Sequence, residues 1–268
     1  MRPLTHDTRV PDPTASFWVM TVLATMTGAT AADALRSQLS LGSFGAGLVI
    51  AAIAGVALVG QQRLGRRIAA VYWSGVALVG AAGALVTVGV TEPDGMPPEA
   101  TAGILAIAAA AVLMVWARSE GTLSLAAIGT PRRERFYWLT ILLTSALGSA
   151  VNVLVDDRLA LGNGWSELIF AAFLVAIYAA YKGLLAGAVA SFWLGYVLVR
   201  PLATTIAWSL ARPTSEDGLG LGPAVTTLLV LATMSFLLAA FQRANARASA
   251  ETEPHDAARL QGAIRPPA

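Results

Sequence analysis

The stretch Ser16-Phe17-Trp18-Val19-Met20-Thr21-Val22-Leu23-Ala24-Thr25-Met26-Thr27-Gly28-Ala29-Thr30-Ala31-Ala32-Asp33-Ala34-Leu35 carries one charge, near its end. A bilayer's hydrocarbon core is about 30 Å thick, and about 20 predominantly apolar residues of helix cross it. This block has that length. Alanine is frequent in it, and it does not alternate apolar with polar residues as a membrane β-strand would. Without water to bond the backbone, a helix is the conformation that satisfies every amide internally.

Seven more blocks of the same kind follow: Ser43–Gln61, Ile68–Val90, Ala100–Ala117, Phe136–Val155, Trp165–Tyr181, Gly187–Leu210 and Leu221–Phe241. The expected fold is therefore an all-α membrane protein of eight transmembrane helices. Its membrane domain spans residues 16–242, after a polar N-terminal segment (1–15) and before a polar, alanine-rich tail (243–268) expected to be disordered. Residues 1–15 lack the basic, apolar and small-residue sequence of a cleaved leader, so the first block is expected to remain as an anchor.

The opening motif recurs. An aromatic–Trp pair starts the first, third, fifth and seventh blocks: Phe17-Trp18, Tyr72-Trp73, Tyr137-Trp138 and Phe192-Trp193. Ten residues after each Trp stands a small residue, Gly28, Gly83, Gly148 or Ala203. Trp18 to Trp138 and Trp73 to Trp193 are each 120 residues apart. The pattern implies a two-helix unit duplicated twice, with repeats at about 16–62, 68–118, 136–182 and 187–242. Units of two helices all enter from the same side. Parallel repeats with pseudo-fourfold or nested pseudo-twofold symmetry are thus expected, without inversion. The small residues and the four Trp residues are expected to pack the repeats together, the small ones by close helix approach in lipid, with the Trp residues at the depth of an aromatic belt.

Charge sets the expected orientation. Arg63, Arg66, Arg67, Arg118, Arg132, Arg133, Arg135, Lys182 and Arg243 cluster on one set of loops. Glu92, Asp94, Glu99, Asp156, Asp157, Glu167, Glu216 and Asp217 gather on the other. Basic loops stay in the cytoplasm, which places both termini there, in a bacterial inner membrane.

Composition excludes several classes. The 268 residues are 56% hydrophobic and 13% charged, against about 25% charged in soluble domains. With no cysteine, there are no disulfides or thiolate ligands, and the two histidines, His6 and His255, lie in the tails. No Gly-x-x-x-x-Gly-Lys loop occurs to bind a nucleotide, and no Gly-x-Ser-x-Gly elbow occurs to present a nucleophile. No enzymatic activity, cofactor, metal or nucleic acid is expected. The expected partners are the lipid bilayer and a small ion or solute.

The run from Phe17-Trp18 to Asp33, with Arg132-Arg133-Glu134-Arg135-Phe136-Tyr137-Trp138, Arg200-Pro201-Leu202 and Gly218-Leu219-Gly220-Leu221-Gly222, resembles a bacterial family labelled "uncharacterised membrane-anchored protein". That family is built of a repeated domain of unknown function. The resemblance covers about residues 10–243 and implies four repeats and eight helices, with no established substrate. It also implies an acidic residue fifteen positions after each Trp and a Gly-Glu pair in the first repeat. Here those acidic positions read Asp33, Val88, Val153 and Trp208, and the pair is Gly28-Ala29. Most of that carboxylate set is lost, and with it the basis for cation coupling.

Ionisable groups inside a membrane are costly and point to function. Two stand within the blocks: Asp33, late in the first, and Arg200, deep in the seventh and followed by Pro201. Asn152, in the fifth block, is a third candidate. Asp33 and Arg200 could form a gating or binding pair, or an ordinary structural one. Their repeat positions differ by eight residues, about 12 Å of helix, so direct pairing requires a long reach or staggered helices. Thr25, Thr27, Thr30, Ser145, Ser149, Thr204 and Thr205 could line a weakly polar path, although such hydroxyls more often bond their own helix. The leading expectation is a small transporter or channel-like protein with a site near Asp33 and Arg200. The alternative is a non-transporting scaffold or accessory subunit.

Overall fold

The computed structural model describes residues 10–36, 42–64, 68–91, 95–159, 162–216 and 218–264, which are helical with no strand among them. The helices are α1 (Ala15–Arg36), α2 (Gly42–Leu64), α3 (Ala69–Thr91), α4 (Pro98–Glu120), α5 (Pro131–Leu159), α6 (Gly162–Lys182), α7 (Ala188–Ala211) and α8 (Pro223–Ile264). All eight are long and apolar enough to cross a membrane. The loop residues Arg66, Arg67, Glu92, Asp94 and Asp217 lie outside the described residues, as do 1–9 of the N-terminal segment and 265–268 of the tail.

Prolines mark the starts: Pro98, Pro131 and Pro223 each open a helix, where the missing N–H costs no intrahelical bond. Gly121 closes α4 with a left-handed φ of 70° and its N–H on the Ala117 carbonyl. Beyond residue 243, α8 continues as helix through Ile264. Alanine, the strongest helix former, recurs through that segment.

Two shells follow from which helices touch. The odd helices close a ring in which α1 packs on α3, α3 on α5, α5 on α7 and α7 on α1. Each even helix lies outside the ring against the next odd helix, α2 on α3, α4 on α5 and α6 on α7, and α8 returns to pack on α1. The sequence pairs each odd helix with the even helix that follows, but α1 barely touches α2. The packed hairpin in space is even–odd. Half or more of each odd span is buried, against a third or less of each even span. The outer helices present Val56, Ile107, Val175 and Phe236 outward, each more than 65% exposed. Such a continuous apolar surface suits lipid.

The aromatic–Trp pairs build an interior wheel. Phe17 meets Trp73 of the next ring helix at 5.7 Å between ring centres, Tyr72 meets Trp138 at 5.4 Å, Tyr137 meets Trp193 at 6.3 Å, and Phe192 meets Trp18 at 5.5 Å. Each contact is ring helix to ring helix, and the last closes on the first. Inside it, the Tyr72 and Tyr137 hydroxyls share a 2.5 Å hydrogen bond. Trp73, Trp138 and Trp193 are buried. Glycine makes the room: a Cβ on Gly75 would stand 3.3 Å from Trp138, and one on Gly195 would stand 3.4 Å from Trp18.

The repeated small residues lie where ring helices cross. A Cβ on Gly28 would come within 2.5 Å of the Ala77 carbonyl oxygen of α3. One on Gly83 would reach 2.9 Å from the Ala146 amide of α5, and one on Gly148 would reach 2.6 Å from Arg200 Cβ of α7. Ala203 is fully buried and packs in one cluster with Met26 and Ala29 of α1. Backbones this close gain dispersion that larger residues would forfeit.

Candidate functional site

Each ring helix turns a stripe of residues spaced by four toward the shared interior, since positions i and i+4 lie on one helix face. One turn beyond the aromatic wheel, three residues after each Trp, stand Thr21, Val76, Ile141 and Tyr196, all fully buried. One turn further the packing opens. The cavity there, about 10 Å³, is lined by Thr25, Gly80, Ser145 and Arg200, together with Ala29, Ala84, Ser149 and Thr204. These are the residues seven and eleven positions after the four Trp residues. The cavity is two stacked quartets, one residue per ring helix in each.

Arg200 dominates it. Its side chain is only 2% exposed, and it reaches all four ring helices. Nη1 donates to Thr25 Oγ1 on α1 at 3.0 Å, and Nη2 donates to the hydroxyl of Tyr196, one turn back on α7, at 2.8 Å. The guanidinium carbon lies 5.1 Å from the centre of the Tyr196 ring, a cation–π contact. A Cβ on Gly80 of α3 would stand 3.2 Å from Nη1, and Gly148 of α5 lies against the Arg200 stem. Glycine at both places lets a long cationic side chain enter the ring. Nε has no hydrogen-bond partner. Among the described residues no carboxylate forms an ion pair with Arg200.

The hydroxyls around it divide. Ser145 and Ser149 donate to the Ile141 and Ser145 carbonyls of their own helix, at 2.6 and 3.2 Å. Thr27 and Thr30 likewise bond back to Leu23 and Met26, at 2.9 and 3.0 Å, and do not line the cavity. Thr25, Ser145, Ser149 and Thr204 do.

Asn152 lies nearby and braces α5 against α7. Its Nδ2 donates to the Pro201 carbonyl at 3.3 Å, and its Oδ1 accepts from Thr205 Oγ1 at 3.3 Å. Asp33 is not brought to Arg200. Trp208 Nε1, from the opposite side of the α1–α7 seam, donates to Asp33 Oδ2 at 3.2 Å. Arg36 and Arg212 are close enough to act on that carboxylate electrostatically, and Arg212 stacks on the Trp208 ring at 4.3 Å. The eight-residue offset between Asp33 and Arg200 keeps them in separate layers. Among the described residues no ion pair joins them.

Two participants escaped the sequence reading. Tyr196 stands four residues before Arg200, a spacing that puts its hydroxyl within reach of the guanidinium. Gly80 was one glycine among many, although it stands seven after Trp73, in the register of Arg200 after Trp193.

Residues 16–67 match a family model described as Repeat of Unknown Function (DUF347). That span takes in α1 from residue 16 and all of α2, and so covers the first repeat expected at about 16–62. No curated protein and no solved structure matches the chain.

Proposed function

We propose that this chain is a four-repeat, multi-pass protein of the bacterial inner membrane with both termini cytoplasmic. In this reading it is not an enzyme but a small transporter or channel-like protein, and its site is the axial cavity around Arg200. Eight cavity residues falling in two registers of one motif, on four ring helices, is the observation that carries it. The same register supports four repeats beyond the one span that a family model matches. Arg118, Arg132, Arg133 and Lys182 stand at the aromatic-wheel end of the bundle, which supports a cytoplasmic wheel. The cavity then lies on the outer side of that closure. A buried cation held on a membrane protein's axis by hydroxyls serves ion or solute passage better than it serves packing, since apolar residues pack at lower cost.

One observation favours the scaffold reading. The wheel closes the axis, and the cavity has room for about one water. Flux in proteoliposomes separates the two. Parent and Arg200→Gln are loaded with protons, monovalent and divalent cations, and inorganic anions in turn, with folding of each checked by circular dichroism. Flux in the parent that Arg200→Gln abolishes supports the axial site. Absence of flux for every ion favours the scaffold.

A further inference from the structure

The charge on Arg200 requires an answer. Arginine keeps its proton at any pH a cell offers, and a charge far from water is costly unless it is paired and hydrogen-bonded. Here the guanidinium is 2% exposed, two of its nitrogens bond neutral hydroxyls, and Nε bonds nothing. Its quartet partners Thr25, Gly80 and Ser145, and the four residues of the next quartet, supply no negative charge.

We propose that the cavity binds one small monovalent anion of the halide class against the Arg200 guanidinium. This rests on the reading of the axis as the functional site. Sign follows from the uncompensated cation and from the absence of any carboxylate in both quartets. Size follows from the cavity, whose volume of about 10 Å³ is that of a single water-sized sphere. Fluoride, close to water in size, fits that space as it stands; chloride and bromide fit only if the lining gives, and sulfate, phosphate and carboxylates are larger still. Thr204 contributes a hydroxyl on the cavity wall, one turn beyond Arg200 on the same helix.

The test is anion-dependent thermal stability of the purified full-length protein in detergent, since a ligand that binds only the folded state raises the unfolding midpoint. Sodium fluoride, chloride and bromide are titrated at constant ionic strength against sodium gluconate, with sulfate as a second control. Chloride-35 line broadening serves as an independent binding readout. The parent midpoint rises saturably with a halide and does not respond to sulfate or gluconate. Thr204→Asp, a near-isosteric change, places a carboxylate on the cavity wall. It weakens halide binding by about tenfold or more while holding the anion-free midpoint at or above the parent's. Arg200→Gln removes the response as a second variant. A parent that shows no saturable halide response, or an equal response to sulfate, overturns the proposal. So does a Thr204→Asp protein that binds halide as the parent does. Halide binding without flux keeps the anion site and removes the transport reading. Flux that Arg200→Gln abolishes, without halide binding, does the reverse.

Discussion

Gly28→Ala asks the most of the ring. The added carbon would sit 2.5 Å from the Ala77 carbonyl oxygen and 3.1 Å from the Ala81 amide, both backbone atoms of α3. A carbon–oxygen contact rests at about 3.3–3.6 Å, so α1 and α3 must part by roughly 1 Å. No side chain can rotate away to absorb it. Overpacking of this kind costs about 1–3 kcal/mol, and alanine's better helix propensity returns up to about 1 kcal/mol. The net expectation is a loss of about 1–2 kcal/mol. Gly55→Ala on α2 and Gly103→Ala on α4 meet nothing within 4 Å and isolate the propensity gain. Helix content followed during thermal unfolding in detergent reports all three. Gly28→Ala should unfold below the parent, and the two controls at or above it. A Gly28→Ala protein as stable as Gly103→Ala would refute close α1–α3 contact at that position.

Tyr72→Phe removes the 2.5 Å bond to Tyr137 and leaves a fully buried hydroxyl without that partner. It should cost about 1–3 kcal/mol, and the Tyr72→Phe/Tyr137→Phe double variant should recover part of the loss in a thermal cycle. Asn152→Leu breaks both links across the α5–α7 seam and should lower the unfolding midpoint by an equivalent of about 1–3 kcal/mol. Asp33→Asn keeps an oxygen to accept from Trp208 and should leave any Arg200-dependent flux in proteoliposomes intact, whereas Asp33→Leu should also lower stability. Glu99→Gln, at the exposed pair with Arg158, should leave the unfolding midpoint unchanged.

The helices and their number were legible because lipid demands long apolar blocks, and each block starts no more than two residues outside its helix. The close crossings at Gly28, Gly83 and Gly148 were legible too, since a small residue repeated at one offset from Trp has few other uses between membrane helices. The Trp residues were legible as packing residues at belt depth, but their partners were not. An interfacial belt and an interior wheel use the same residue at the same depth, and only the neighbouring helix tells them apart. The partner of each even helix was equally hidden, because proximity in sequence favours α1 with α2 while packing favours α2 with α3.

Of the site, Arg200 stood out on charge alone, and four of the seven hydroxyl candidates line its cavity. The pairing of Arg200 with Asp33 did not materialise, because an eight-residue offset on helices packed in register leaves the two in different layers. The quartet register was in the sequence, seven and eleven residues after each Trp. Reading it required knowing that four odd helices share one axis. Position 29, where the family resemblance implies a glutamate, is an alanine on the cavity wall. Its lost carboxylate therefore bears on the charge balance of Arg200 directly.

Every statement about the axial site depends on the ring being closed, with α7 packed on α1 and α8 laid over that seam, where Val230 joins Met26 and Ala29 of α1 and Ala203 and Ala207 of α7 in one cluster. Thr227 of α8 donates to Thr30 Oγ1 of α1 at 2.8 Å across that closure. The chain has no cysteine of its own, so Thr30→Cys/Thr227→Cys is the sole thiol pair in its variant. Mild oxidation in membranes should join the two within one chain and give a faster-migrating monomer that reductant reverses. A Thr30→Cys/Ile107→Cys control, with its second thiol on the outer face of α4, should not cross-link within one chain. Failure of the first pair to cross-link, with both thiols reactive toward a small maleimide, would contradict the seating of α8 over the α1–α7 seam, and with it this account of how the ring closes.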